Sequence, residues 1–367
     1  MKIMMILNDS NYAWYLRREV LQGFKEAGHT VSLVCEVLSY KEELEKMGCS
    51  LVHVDMQRRG KNPFSDILLL MKYHRILRNQ RPDVVCSCNI KPNVYAGFAC
   101  RLLGIPYIVN ITGLGTPLEV PGPLQTLTVG LYKIGVKGAN CVFFQNEENL
   151  KFFCDRKMLG KNTRAELLPG SGVNLQSHPV QKYPEGEKNH FLFAARVMKE
   201  KGIDQFLAAA RRFHGENTVF EICGACDDPQ YLKILQQAHE KGIVRYHGLQ
   251  KDMNPFYERC SCFLYPSYYP EGMSNVLLEA AASGRPVIAA DRSGCRETVD
   301  DGVSGYIVPV QDEQAVIEAV EKFLTLSWEE RSQMGLAGRK KMEREFDRRF
   351  VVQKYMEALE YCHATVK

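Results

Sequence analysis

No window of about 18 apolar residues occurs in the 367-residue chain, so no segment reads as a membrane-spanning helix. The start, Met1-Lys2-Ile3-Met4-Met5-Ile6-Leu7-Asn8-Asp9, offers too short an apolar run for the core of an export signal. Low-complexity tracts, heptads and repeats at the scale of roughly 20–50 residues are missing, which sets aside disordered, coiled-coil and solenoid architectures. An excess of one charge is missing too: 47 Lys and Arg face 43 Asp and Glu, and a net +4 is far too small for a dedicated nucleic-acid binder. Neither half carries G-x-G-x-x-G after its first strand, which argues against a dinucleotide oxidoreductase. The 13 cysteines are odd in number and sit in apolar runs such as Val84-Val85-Cys86-Ser87-Cys88, without framework spacing. Reduced thiols and a cytoplasmic location are expected.

What the chain does have is alternation. Short β-branched runs at Lys2 to Leu7, Thr30 to Cys35, Leu51 to Met56, Asp83 to Asn89, Tyr107 to Ile111 and Asn140 to Gln145 are separated by amphipathic stretches such as Tyr15 to Ala27 and Pro63 to Asn79. That is repeated βα, hence a parallel sheet covered on both faces. The period lapses around Leu167 to Val173, and Gln176 to Asn189 is polar with two prolines, a linker composition. It restarts at Phe191 to Val197, Thr218 to Cys223, Ile243 to Tyr246, Cys262 to Tyr265, Pro286 to Ala290 and Gly305 to Val308. The expected fold class is α/β: two doubly wound, Rossmann-like domains, residues 1–175 and 185–345, facing across a cleft, with a last helix at about 346–367 crossing back to the first. Ligands of such sheets bind at the carboxyl ends of the strands.

The most informative segment is Pro266-Ser267-Tyr268-Tyr269-Pro270-Glu271-Gly272-Met273-Ser274-Asn275-Val276-Leu277-Leu278-Glu279. A strand ends at Tyr265 and an apolar helical pattern begins at Ser274 or Asn275, with Ser274 as a candidate N-cap. The amides of Met273, Ser274 and Asn275 would then face an anionic or hydroxyl-rich ligand, and Gly272 lets the backbone approach it. Taken alone, Glu271 and Glu279 also read as a carboxylate on the helix dipole and a surface helical residue. A second element, Arg196-Val-Met-Lys-Glu-Lys201-Gly202, follows the strand pattern Phe191 to Ala195. Its Arg, at the strand's carboxyl end, supplies bidentate donors and its Lys, beginning the next helix, a point charge, or the stretch forms a solvated basic turn.

Together these residues resemble glycosyltransferase family 4, retaining enzymes of the GT-B fold that use nucleotide diphosphate sugars, and nearly the whole chain follows the family in element order. The resemblance implies that Arg196 and Lys201 stabilise the leaving diphosphate and that Glu271 positions the donor sugar. It gives Glu279 the ribose hydroxyls, assigns sugar and phosphate to the 273–275 amides, and places Gly224 beside the donor. Leu249 and Gln250 fall to the base. The nearest resemblance is to bacterial enzymes of lipid-linked glycan and polysaccharide synthesis, so the implied donor is a UDP-sugar and the implied acceptor a glycan or lipid-linked glycan. No cofactor is implied. Asp-x-Asp occurs nowhere in the chain, and Cys223 and Cys226 form a C-x-x-C without a second ligand pair, so no metal site is read and metal-independent transfer is expected.

The first domain would take the acceptor. Its first loop, Asn8-Asp9-Ser10-Asn11-Tyr12, lacks the paired glycines many relatives carry, and Arg17 either reaches an anionic acceptor or the donor phosphates, or lies on a solvated helix face. Thr112 and Gly113, in the turn Asn110 to Thr116, line the acceptor side; no histidine lies between His74 and His178 to serve as a base. The family's front-face route needs none, because the leaving phosphate oxygen takes the acceptor proton. Residues 1–180 hold 22 Lys and Arg against 15 Asp and Glu. Arg58, Arg59 and Lys61 lead into an apolar-rich stretch that either packs on the sheet or turns its basic side to an anionic membrane or an acceptor diphosphate. The chain is read as a retaining hexosyl- or N-acetylhexosaminyltransferase with peripheral membrane contact and no nucleic-acid partner. A non-enzymatic two-domain sugar- or nucleotide-binding protein is the alternative.

Overall fold

A computed structural model describes residues 1–56, 63–186, 188–215 and 217–364. Seven parallel strands form the first sheet: β1 Lys2–Asp9, β2 Thr30–Glu36, β3 Cys49–His53, β4 Val84–Cys88, β5 Tyr107–Ile111, β6 Cys141–Phe144 and β7 Arg164–Leu167, in the order 3-2-1-4-5-6-7. Six parallel strands form the second: β8 Asn189–Ala194, β9 Thr218–Cys223, β10 Arg245–Tyr246, β11 Cys262–Tyr265, β12 Val287–Ala290 and β13 Gly305–Val308, in the order 10-9-8-11-12-13. Both sheets are doubly wound, as the βα alternation predicts. Each reverses its winding beside its first strand, so the switch points fall between β1 and β4 and between β8 and β11.

The strands read as continuous apolar runs because both faces are covered. Ile3, Met5 and Leu7 of β1 enter one core while Met4 and Ile6 enter the other. Helix starts follow local chemistry: Asp9 ends β1 and its carboxylate caps the helix Ser10–Glu26 by accepting from the Tyr12 N–H at 2.9 Å. Ser327 and Glu330 form a reciprocal capping box on Trp328–Lys341.

The first compact unit comprises Met1–Ser171, Glu271–Met273 and the helix Arg348–Ala364; the second comprises Gly172–Pro270 and Ser274–Asp347. In the first unit that last helix covers one face of the sheet with Val351, Tyr355, Ala358, Leu359 and Cys362. The buried Tyr355 hydroxyl accepts from Asn110 Nδ2 at 2.9 Å, and its ring lies 5.0 Å from Phe143. The guanidinium of Arg348 reaches Glu19 at 2.7 Å. Arg58, Arg59 and Lys61 lie outside the described residues.

Candidate functional site

In the second unit, backbone bonds carry β8 past its formal end: the Ala195 N–H donates to Cys223 O at 3.0 Å and the Val197 N–H to Ala225 O at 2.8 Å. Arg196, between them, is left exposed at the carboxyl edge of the switch point. The chain then makes a tight turn over Lys199–Lys201. Gly202 follows with φ +80°, and a Cβ there would stand 2.2 Å from the Pro266 carbonyl oxygen, so only glycine lets this turn press on the end of β11. Pressed there, Lys201 is buried: its Nζ donates to the Tyr265 hydroxyl at 3.0 Å and lies 4.7 Å from the centroid of Tyr269. A cation out of bulk water is tolerated only with such partners. The loop after β11 is clipped to the same turn, the Tyr268 N–H donating to Glu200 O at 2.9 Å. The result is an ammonium held beside a phenol and a ring face at the point where doubly wound sheets bind ligands.

The helix Asn275–Ala282 begins after this loop. Ser274 occupies the N-cap with extended backbone, yet its side chain makes no capping bond, and its buried Oγ has no partner among the described residues. Its amide donates to Gly294 O at 2.8 Å. This corrects the expectation of three ligand-facing amides at 273–275: the Ser274 N–H is spent on the 293–297 turn, itself fixed by Glu297 accepting from the Gly294 N–H at 2.7 Å. One turn into the helix, Glu279 is partly exposed, and its Oε2 accepts from the buried Tyr257 hydroxyl at 2.9 Å. Burial first, and then the Glu279 carboxylate, push the Tyr257 phenol well above its ordinary pKa, so it donates at all working pH. One lobe of Glu279 is thereby fixed by the protein.

Gly224 follows β9 at φ +150°, and a Cβ would stand 1.7 Å from the Ala195 carbonyl oxygen. Its N–H donates to Gly248 O at 2.7 Å and its carbonyl accepts from the Tyr246 hydroxyl at 3.0 Å, tying the turn to the 247–250 loop. Beneath them lies Glu221, 2% exposed. Its Oε1 faces His190 Nδ1 at 2.8 Å and accepts from Arg259 Nε at 2.9 Å; its Oε2 faces His247 Nε2 at 2.8 Å and accepts from an Arg259 terminal nitrogen at 2.8 Å. Burial pushes this carboxyl up, but the hydrogen bonds from Arg259 and His190 outweigh it and hold the group well below the carboxylate range. Next to His247, Leu249 is exposed and Gln250 donates from Nε2 to His247 O at 2.6 Å.

In the first unit, the Gly272 N–H donates to Thr112 O at 3.1 Å, and Asn146 Nδ2 donates to Gly272 O at 2.7 Å and Glu271 O at 3.2 Å. A Cβ at Gly272 would meet Gln145 Oε1 at 2.4 Å, which explains the glycine by packing. Met273 is buried against Gly170, and Glu271 is partly exposed. Gly113 bends the turn after β5 with φ +133°. Arg17 corrects its expectation on both counts. It is neither on a solvated face nor open to a ligand: fully buried, it donates to Leu16 O at 2.6 Å, Ser171 Oγ at 3.0 Å and the Tyr12 hydroxyl at 3.1 Å. The spacing Ala13, Arg17, Val20, Leu21, Phe24 puts it on the inward face of its helix, where burial would lower its pKa but nearby Tyr12 and Cys88 reverse that.

Sequence reasoning missed Tyr257, Tyr265, Glu221, His247 and Arg259. Only Glu221 left a trace, a lone carboxylate in the apolar strand Thr218-Val219-Phe220-Glu221-Ile222-Cys223; the tyrosines are indistinguishable from core aromatics until the fold brings them to Lys201 and Glu279. Among the described residues no cluster of three or more His, Cys, Asp or Glu side chains could hold a metal ion, and no helix is long and apolar enough to cross a membrane.

Two family profiles match the chain: "Glycosyl transferase 4-like" over residues 2–146 and "Glycosyl transferases group 1" over residues 177–341. The N,N'-diacetylbacillosaminyl-diphospho-undecaprenol alpha-1,3-N-acetylgalactosaminyltransferase of Campylobacter jejuni is 23% identical over 363 residues, 94% of each chain. The capsular polysaccharide biosynthesis glycosyltransferase CapM of Staphylococcus aureus is 25% identical over 335 residues, 86% of each chain. Among solved structures, HepE of Anabaena in complex with UDP and glucose superposes with a TM-score of 0.78 at 16% identity, covering 98% of this chain and 100% of that one.

Proposed function

Because the chain belongs to the glycosyltransferases of the GT-B fold, resembling those of bacterial polysaccharide synthesis, we propose that it transfers a hexose or N-acetylhexosamine from a UDP-sugar to a lipid-linked glycan, with retention. The observation that carries this reading is the buried Lys201 ammonium at the switch point of the second sheet. As the bond to the anomeric carbon breaks, negative charge grows on the departing diphosphate; a cation already desolvated and oriented by Tyr265 and Tyr269 meets that charge without reorganising. Arg196, exposed at the neighbouring strand end, adds bidentate donors. Glu279, held by Tyr257, accepts from the ribose hydroxyls, and the 248–250 loop flanks the base. Glu271 orients the donor sugar. Thr112 and Gly113 line the acceptor side, and the leaving phosphate oxygen takes the acceptor's proton, so no enzymic base is required. With Lys201 and Arg196 supplying the positive charge, the reaction runs without a metal ion. The acceptor's lipid puts the enzyme at a membrane face.

The Campylobacter enzyme's name specifies a polyprenyl diphosphate acceptor and HepE was solved with UDP, which favours that acceptor class and that nucleotide. Nucleotide release measured across a panel of nucleotide sugars, with and without a polyprenyl diphosphate glycan, tests the reading: acceptor-dependent UDP release is expected. Tight donor binding with no turnover on any acceptor would favour a binding protein. An inverted product anomer would refute retention.

A further inference from the structure

The segment Glu271–Gly272 belongs to the first unit, where the ends of two neighbouring strands hold it. β5 and β6 run parallel with Ile111 opposite Phe144, so Thr112 and the pair Gln145-Asn146 emerge side by side at the carboxyl edge of the sheet. The Gly272 N–H donates to Thr112 O at 3.1 Å, and the carbonyl of the same peptide, Glu271 O, accepts from Asn146 Nδ2 at 3.2 Å. The next carbonyl, Gly272 O, accepts from that Nδ2 at 2.7 Å. A peptide group is a rigid plane, and this one is fixed at both ends. Turned over, it would set oxygen against oxygen at Thr112 and N–H against NH2 at Asn146. Gln145 Oε1 and the Thr112 carbonyl leave no room for a Cβ at Gly272, so the segment lies directly on the two strand ends.

The Asn146 side chain has a second duty. It is the N-cap of the helix Glu147–Asp155, its Oδ1 accepting from the Asn149 N–H at 2.9 Å. Asp, Ser or Thr would cap this helix as well, but Asp offers no donor and a hydroxyl only one. The cap alone does not call for an amide; the two carbonyls do. We propose that Asn146 is a positioning residue for the transfer reaction: by fixing the peptide that follows Glu271, it sets the direction from which that carboxylate meets the donor sugar. This rests on the reading of Glu271 as the group that orients the sugar. With its C-terminal peptide pinned, Glu271 keeps one approach instead of sampling several, and a misplacement of roughly 1 Å at a reacting centre costs on the order of a hundredfold in rate. Thr112, assigned to the acceptor side, holds the other end of the same peptide, so donor sugar and acceptor are set in register by one peptide group.

The test is steady-state transfer with the UDP-hexose or UDP-N-acetylhexosamine that wild type turns over, beside UDP affinity by calorimetry and urea unfolding. Asn146→Asp keeps the cap, with an acid favourably placed at a helix N-terminus, but faces both carbonyls with an acceptor. It should lower kcat at least about tenfold and leave UDP affinity within about twofold, because the reading gives UDP no contact with Glu271. Asn146→Ser, which keeps the cap and one donor, should lose less. In a Glu271→Ala background, itself slow, Asn146→Asp should cost no more than about twofold, since no carboxylate is left to position. Losses that multiply across this pair overturn the proposal, as does an Asn146→Asp enzyme as fast as wild type. So do UDP affinity and urea midpoint that fall in step with kcat in both Asn146 variants, which would make the residue a helix cap alone. A Glu271→Ala enzyme with wild-type rates would instead remove Glu271 from donor binding, and the inference would fall with that reading.

Discussion

Exchanging Glu221 for Gln swaps one carboxylate oxygen for an amide NH2 and removes one charge from a group that is 2% exposed. Each oxygen now faces one histidine nitrogen and one Arg259 N–H at 2.8–2.9 Å. Whichever way the amide turns, its NH2 confronts an Arg259 donor; a histidine can adapt by changing tautomer, but a guanidinium cannot accept. Breaking a buried pair costs about 3–5 kcal/mol. The lower end, about 3 kcal/mol, applies here, because the Arg259 side chain is 37% exposed and can turn to water. The pH dependence has a definite sign. The folded carboxyl is held below its ordinary value of 4.5, so above that pH both states are ionised and the full contribution is present. As pH falls through 4.5 the unfolded chain takes up a proton that the folded chain refuses, and the contribution drains away. Urea unfolding at pH 7 should therefore separate wild type from Glu221→Gln by about 3 kcal/mol, and the gap should close in acid. As the amide turns away from Arg259, the weakened His247 contact should also loosen the 247–250 loop and weaken UDP binding by calorimetry by about tenfold, with kcat nearly unchanged. Equal unfolding midpoints across this pH range, with equal UDP affinity, would refute the reasoning.

Lys201→Ala should lower kcat more than it raises the donor KM, since the leaving charge is greatest in the transition state; a pure KM effect in steady-state assays would remove Lys201 from that role. Glu279→Gln should weaken UDP binding by roughly ten- to a hundredfold, and Tyr257→Phe by less, because it frees the carboxylate without discharging it. Calorimetry that ranks the two in the opposite order would count against Glu279 as the nucleotide ligand. Turnover should survive EDTA, and loss with rescue by manganese would contradict a charge supply from Lys201 and Arg196.

The two sheets were legible because buried parallel strands must be apolar on both faces, a pattern few other structures produce. β7 escaped notice for the complementary reason: at the sheet edge Arg164 and Glu166 are tolerated and the apolar run breaks. In the second unit, motif spacing put Arg196 at a strand end and Glu279 on a helix, while Lys201, read as the start of the next helix, lies in a tight turn ahead of it. It could not register that the Ser274 amide is consumed by Gly294, since that bond joins segments 20 residues apart in sequence through a turn. Nor could it weigh the charge of Arg17 against its spacing; the spacing proved the better guide, because Tyr12, Leu16 and Ser171 provide the partners that make burial tolerable.

The helix Arg348–Ala364 has a consequence for the order in which the protein can be made. One face of the first sheet is closed by Val351, Tyr355 and Leu359, yet these leave the ribosome after the whole second unit has been synthesised. At about 5–20 residues per second, the interval between Ser171 and the arrival of this helix is roughly 10–35 s. Throughout it, Phe24 and Phe143 lack the Tyr355 ring that packs on them, and the Asn110 side chain waits for the Tyr355 hydroxyl. The second unit can fold as it emerges, so the part of the chain born first is the part finished last, and its nascent form is the natural client of a chaperone.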